Sequence, residues 1–197
     1  MTSLIANPKN SDLSTQIATL EQILRLNQTV WKILEVAEKT IPYPWYMGGG
    51  GIYHTVWNYY SNRPIENDLK DYDIFYFNQT HNESEHNTIE HSLNAVLDDE
   101  MIDLTNIATV HTWLKDVLNK EVLPYTSIEQ DINSFGNTVA SIGVRIKESK
   151  LEVYAPYGLT DIFSLEVHHV GGIFTQTEYV KKAQSWQKRW PDLIIYN

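Results

Sequence analysis

The chain has 197 residues, with 15 basic and 25 acidic side chains and therefore a formal net charge of −10 at pH 7. A surface of this sign repels polyanions, which argues against non-specific binding to long nucleic acids or to anionic membranes, but not against binding one nucleotide with its metal ion. Because there are no cysteines, disulfides, thiolate metal sites and a cysteine nucleophile are excluded.

The N-terminal part predicts a flexible leader over residues 1–10, followed by helix. From the N-cap candidates Ser11 and Asp12, apolar residues recur at helical spacing, and Pro42 and Pro44 end the pattern. An interruption is expected near Asn27. The periodic residues are Leu13, Ile17, Leu20, Ile23, Leu24, Val30, Trp31 and Leu34.

The rest of the chain predicts alternating strands and helices, with a polar loop over residues 78–88. The predicted strands are 45–47, 71–77, 101–106, 138–146, 151–154 and 166–170, of which 138–146 and 151–154 form a hairpin. The predicted helices follow the glycines at 48–51 and then cover 90–97, 111–118, 127–135, 158–165 and 178–190. We expect an α+β fold with a short mixed sheet backed by helices.

The most informative feature is the order of glycine turn, helix and acidic strand between residues 48 and 77. Gly48–Gly51 can bring backbone amides close to phosphate, and the start of the following helix favours negative charge. Asp71 and Asp73 head an apolar strand and, being two residues apart, point to the same face at about 7 Å between Cα atoms. Two carboxylates so placed can hold Mg²⁺ against nucleotide phosphates.

A third carboxylate would allow deprotonation of an acceptor hydroxyl or completion of the metal site. Asp103 is the best candidate, because it lies on the next predicted strand and its neighbours Ile102 and Leu104 would point to the opposite face. The alternative is that Asp103 is only a polar residue on a half-exposed strand.

The sequence over roughly residues 44–197 resembles the bacterial-type nucleotidyltransferase-like proteins of the DNA polymerase beta nucleotidyltransferase superfamily. The stretches that carry the resemblance are Gly49–Ile52, Thr55–Asn58, Asp71–Phe77, Asn106–His111, Tyr125–Glu129, Thr138–Arg145, Ala155–Ile162 and Lys188–Pro191. Residues 1–43 lie outside the strong matches, so we divide the chain into an N-terminal helical segment, 1–43, and a nucleotidyltransferase-like domain, 44–197.

The resemblance implies metal binding by Asp71 and Asp73, with Mg²⁺ or Mn²⁺, and a nucleotide-cradling turn at Gly49 and Gly50. The third carboxylate of the superfamily would fall at Asp103. The implied reaction moves a nucleoside monophosphate from a nucleoside triphosphate (NTP) to an acceptor hydroxyl that the sequence does not identify.

Two departures from the family pattern bear on triphosphate binding. Tyr53 stands where the family usually has an arginine after the glycine pair, and Thr109 lies in a stretch that has lost a glutamine and an arginine. Arg145 is then the most plausible guanidinium for a phosphate, and His111 a candidate to orient substrate or contact phosphate. The alternative function is a catalytically impaired nucleotide-binding or regulatory protein that retains the fold.

A third hypothesis is a partner-binding module. Leu13, Ile17, Leu20 and Leu24 could form a stripe for docking or self-association, or they could pack within the chain. We expect a cytoplasmic protein, because no long apolar stretch and no secretory signal are visible.

Overall fold

The computed structural model describes residues 4–80, 82–95 and 102–196, which form eight helices and seven strands. The helices are α1 (Leu13–Leu26), α2 (Gln28–Thr40), α3 (Gly50–Tyr60), α4 (Glu83–Asn94), α5 (His111–Leu118), α6 (Ile128–Ile132), α7 (Thr160–Ser164) and α8 (Gln176–Arg189). The strands are β1 (Trp45–Met47), β2 (Tyr72–Tyr76), β3 (Ile102–Asn106), β4 (Gly143–Lys147), β5 (Lys150–Tyr154), β6 (Glu166–His168) and β7 (Ile194–Tyr196).

Five strands form one mixed sheet in the order β3-β2-β1-β4-β5. β2 and β3 are parallel, whereas β1 is antiparallel to β2 and to β4, and β4 and β5 form an antiparallel hairpin. β6 and β7 make a separate parallel pair. The predicted α+β class with a short mixed sheet is confirmed.

β2 lies inside the sheet because both of its edges are paired, as its apolar residues on both faces predict. Its even-numbered residues are buried in the main core, and its odd-numbered residues are only partly covered. This alternation places Asp71 and Asp73, and after them Phe75, on the face opposite the main core.

The hairpin is shorter than predicted. Residues 138–142 run without regular structure, and β4 begins at Gly143, where an added Cβ would press on Tyr46 and Ile132. The turn uses Glu148 and Ser149, both at positive φ (51° and 64°), as a tight two-residue connection requires.

The prediction of a loop over residues 78–88 is wrong for its second half, because α4 already begins at Glu83. Asn82 caps the helix by accepting a hydrogen bond from the backbone N–H of Glu85, at 3.2 Å. Only Ile89 and Leu93 of α4 are buried, so the first turn carries no apolar signal. Leu97, the predicted end of this helix, lies outside the described residues.

The N-terminal helices belong to the main core. Asn27 separates α1 from α2, as predicted, and its side chain accepts from the N–H of Val30 and donates to Thr55 Oγ1 of α3. Leu20 and Leu24 are fully buried against the main core and Ile17 is partly buried, whereas Leu13 is exposed. Most of the predicted docking stripe therefore packs inside the chain.

No helix in the described part of the chain combines the length and apolar character needed to cross a bilayer.

Candidate active site

The glycine turn after β1 brings the backbone against the acidic strand. Gly48 N–H donates to the backbone oxygen of Asp73 at 3.0 Å, which extends the β1–β2 pairing into the turn. Gly49 has φ +65°, and a Cβ there would overlap Asp73 Oδ2. Glycine is therefore required at position 49 both by its backbone conformation and by the approach of the carboxylate.

The parallel pairing of β2 and β3 places Asp73 directly beside Asp103. Neighbouring strands lie about 4.8 Å apart, and residues in register point to the same face of the sheet. Thr105 Oγ1 donates to Asp103 Oδ1 at 3.4 Å. Asp71 lies one residue before β2, is exposed, and continues the same alternation as Asp73.

The electrostatics of Asp73 fit a cation ligand. Burial, together with the negative charges of Asp71 and Asp103, raises the pKa of the Asp73 carboxyl to about 6, and Lys182 acts in the opposite direction. A divalent cation bound by these oxygens would offset both the desolvation and the repulsion. The glycine turn and the facing carboxylates thus suit a hard metal such as Mg²⁺ or Mn²⁺.

The three predicted carboxylates are not in a closed ligand geometry. Among the described residues, one cluster of three acidic or histidine side chains has its possible metal-ligand atoms all within 4.8 Å of one another. It consists of Asp161, Glu166 and His168. There, His168 Nδ1 lies 2.8 Å from Asp161 Oδ2, and the His168 ring stacks on Tyr196. None of these three lines the cavity described below.

A cavity of about 670 Å³ opens over the Asp73–Asp103 pair. This volume is typical of a small-molecule site. Its polar lining comprises Gly49, Tyr53, Asp73, Asp103, Thr105, Asp131, Asn137, Glu178, Tyr179, Lys181, Lys182 and Ser185. Its apolar lining includes Phe75, Ile107, Val110, Trp113, Leu114, Phe135, Ile173 and Phe174.

Helix α8 supplies the cations of the cavity. Aromatic contacts hold it against α3, with the ring of Trp186 5.3 Å from Tyr53 and 5.7 Å from Trp57. Lys182 lies one turn before Trp186 and close enough to act on Asp73. The sequence does not single out Lys181 and Lys182, because nothing in it shows that this exposed face of the helix also borders a cavity.

Tyr53, which stands where the sequence resemblance led us to expect an arginine, is buried and lines the cavity. Burial and the nearby charge of Asp73 raise its pKa, so the hydroxyl stays protonated at neutral pH.

Three other predicted binding residues lie outside the lining of this cavity. Arg145 pairs with Glu152 on β5 at 2.7 Å, and its guanidinium lies 4.7 Å from the Tyr46 ring centre. His111 begins α5, and its Nδ1 is buried without a hydrogen-bond partner among the described residues. Gly50 is buried in the first turn of α3, where a Cβ would meet His54 Nδ1 at 3.0 Å.

Asp131 on α6 also lines the cavity and was not predicted as a site residue. It is 4% exposed, and burial raises the pKa of its carboxyl to about 7. The sequence carries no signal for this position, since an acidic residue in a short polar helix is ordinarily solvated.

A family model described as "Nucleotidyltransferase" matches residues 36–195. A search of solved structures finds a protein whose NMR structure "reveals a CCA-adding enzyme head domain", with 20% sequence identity, a TM-score of 0.72, and coverage of 91% of this chain and 95% of that chain. At this identity the likeness concerns the fold. A search of curated proteins gives no match.

Proposed function

This chain belongs to the nucleotidyltransferase family, and from that premise we propose that it transfers a nucleoside monophosphate from an NTP to an acceptor hydroxyl with the help of a divalent metal. The observation that carries the proposal is the side-by-side placement of Asp73 and Asp103 beneath a cavity whose wall includes the glycine turn at Gly49.

In this proposal Asp71 and Asp73 hold Mg²⁺ or Mn²⁺, and Asp103 completes the site. When bound, the metal neutralises charge on the triphosphate. Burial, and then the negative charges of Asp71 and Asp103, raise the pKa of Asp73, and a bound divalent cation would offset both effects.

The reaction forms one bond and breaks one. The acceptor oxygen bonds to the α-phosphorus as its proton passes to Asp103, and the bond between the α-phosphorus and the α–β bridging oxygen breaks so that pyrophosphate leaves. Lys181 and Lys182 border the same cavity and would contact the phosphates in place of the arginines that the family pattern leads one to expect.

Replacing Asp73 with asparagine tests the assignment. We expect Asp73→Asn to lower pyrophosphate release by roughly 10²-fold or more, because a metal ligand is lost where charge develops. The variant should fold with an unchanged or higher melting temperature, because a buried carboxylate is replaced by a neutral group of the same shape.

The matched control is Asp192→Asn, an exposed aspartate outside the cavity lining, which should leave the rate unchanged. Chelation of divalent cations should abolish activity in the wild type. An Asp73→Asn protein as active as the wild type would refute the assignment.

A second candidate function is nucleotide binding without turnover. It is favoured by Tyr53, which fills the position of a basic residue in the cavity, and by the pairing of Arg145 with Glu152 away from it. Calorimetry with the four NTPs and Mg²⁺, followed by assay of released pyrophosphate, separates the two. Binding without pyrophosphate release favours this second function.

A further inference from the structure

Asp131 is a buried carboxylate that the transfer reaction proposed above does not use. Its residue is 4% exposed and it lines the cavity. In the ranges that the structure describes, no donor hydrogen-bonds to its carboxylate and no cation pairs with it; only its backbone oxygen accepts, from the N–H groups of Asn133 and Ser134 and from the Ser134 hydroxyl.

An ionised carboxylate buried in this way lowers the stability of the folded protein unless a cation or hydrogen-bond donors interact with it. Removing an ionised group from water without a partner destabilises the folded state, and proteins ordinarily supply a cation or hydrogen-bond donors. Burial alone raises the Asp131 pKa to about 7, with no contribution from another charged group. A ligand that brings N–H donors or positive charge would supply the compensation.

The aromatic residues that line the cavity suit a flat organic group. Phe135, three residues after the end of α6, packs with Phe75 at 5.6 Å between ring centres. Trp113 and Phe174 line the cavity and remain 48% and 38% exposed, so their rings are accessible at its margin. Aromatic walls stack on bases and attract ammonium groups.

The cavity therefore contains two acidic groups of different kinds. Burial and the negative charges of Asp71 and Asp103 raise the pKa of Asp73, with Lys182 acting in the opposite direction, whereas burial alone raises the pKa of Asp131. A metal at Asp131 is disfavoured, because Asp131 belongs to no cluster of three or more metal-binding side chains in the described structure. An unpaired carboxylate in a cavity with many apolar lining residues is instead typical of specific recognition of an organic group.

We propose that Asp131 is a specificity-determining residue that binds a donor-rich group of a small-molecule substrate seated in this cavity. Two sources share this chemistry: the paired N–H groups on the edge of a guanine base, and the ammonium group of an amine-bearing acceptor. This inference rests on the proposed function, because it assumes that the cavity binds both the NTP and the acceptor.

The first arm of the test compares GTP with ITP, which lacks the 2-amino group of guanine, by calorimetry in Mg²⁺. If the base is the source, the wild type binds GTP about tenfold more tightly than ITP, as expected for a paired carboxylate contact. Asp131→Asn abolishes this preference while still binding both nucleotides, and Asp192→Asn keeps it.

The second arm compares 2-phenylethylamine with 2-phenylethanol, which has the same aromatic body without the charge. If the acceptor is the source, the wild type binds the amine at least fivefold more tightly than the alcohol, and Asp131→Asn binds the two alike. Asp192→Asn again serves as the control for general charge attraction by the acidic protein.

A preference that depends on Asp131 in either arm supports the proposal. The proposal is overturned if the wild type binds GTP as tightly as ITP and the amine as tightly as the alcohol. It is also overturned if a preference seen in the wild type persists in Asp131→Asn. If no nucleotide binds the wild type, the proposed transfer function fails separately, and the amine arm then decides the role of Asp131.

Discussion

Two aspartates in one cavity have raised pKa values for different physical reasons. For Asp73, burial acts together with the charges of Asp71 and Asp103, whereas for Asp131 burial acts alone. Carboxyl groups in a cleft with raised pKa values are typical of functional sites, because a bound ligand can offset the desolvation and the charge repulsion that they experience in the free protein. Both residues should therefore lower stability in the free protein.

Asp131→Asn should stabilise the free protein in a pH-dependent manner. The folded-state pKa of about 7 lies above the ordinary value of 3.8, so the folded form holds its proton more tightly than the unfolded chain does. The stability gained by the variant should be near zero below pH 4, grow between pH 4 and 7, and reach about 4 kcal/mol at pH 8, since each pKa unit corresponds to about 1.4 kcal/mol. Urea denaturation at pH 4, 6 and 8 measures it.

Asp116→Asn is the control for this series, because Asp116 is exposed on α5. It should change stability little and without this pH dependence. A lower stability of Asp131→Asn at pH 8 would contradict the account, since it would mean that the wild-type carboxylate is already compensated in the free protein.

Residues on regular strands could be predicted from the sequence, whereas residues made functional by packing could not. The alternation within β2 and within β3 is local, so each carboxylate could be assigned to one face of its own strand in advance, whereas the register that pairs Asp73 with Asp103 depends on the fold. Asp131 becomes buried only because α6 docks on a small apolar cluster that includes Ile128 and Ile132. Lys182 faces the cavity only because Trp186 fixes the position of α8 against α3.

Among the elements, the junction between α1 and α2 links the N-terminal helices to the site. Asn27 is fully buried, caps α2 and donates to Thr55 Oγ1 at 3.0 Å; Thr55 in turn donates to the backbone oxygen of Gly51 at 2.7 Å. This chain of hydrogen bonds ends at the first turn of α3, directly after the glycine turn. The sequence marked Asn27 as an interruption but not as a contact between helices distant in sequence.

Asn27→Ala should lower the free energy of unfolding by about 1–3 kcal/mol, because it removes a helix cap, leaves the buried N–H of Val30 without its acceptor and removes the hydrogen bond that Thr55 Oγ1 accepts. The matched control is Asn82→Ala, which removes the exposed cap of α4 and should cost about 0.5–1 kcal/mol. Equal effects of the two substitutions, measured by urea denaturation, would show that the contact to Thr55 contributes nothing.

At the scale of the whole molecule, the family match begins inside α2, at residue 36, but the main core also includes Leu20 and Leu24 of α1. The division at residue 43 thus follows the sequence resemblance, while burial joins both segments. Local periodicity predicts helices well but does not reveal which helices share a core, because those contacts depend on the tertiary fold.

The overall charge of the protein and the local charge of the cavity have different effects on which substrates can bind. The net charge of −10 disfavours a long nucleic acid as substrate, whereas Lys181 and Lys182 provide positive charge beside the proposed metal site. Small anionic substrates carried with a divalent metal suit this arrangement.

The most direct test of metal-dependent nucleotidyl transfer is a crystal structure with Mn²⁺ and a non-hydrolysable NTP, in which anomalous scattering locates the metal. We predict a Mn²⁺ peak bound by Asp71 and Asp73, with Asp103 beside it and the phosphates between the metal and Lys182. A peak confined to Asp161, Glu166 and His168, with the Asp73 carboxylate free of metal, would contradict this account.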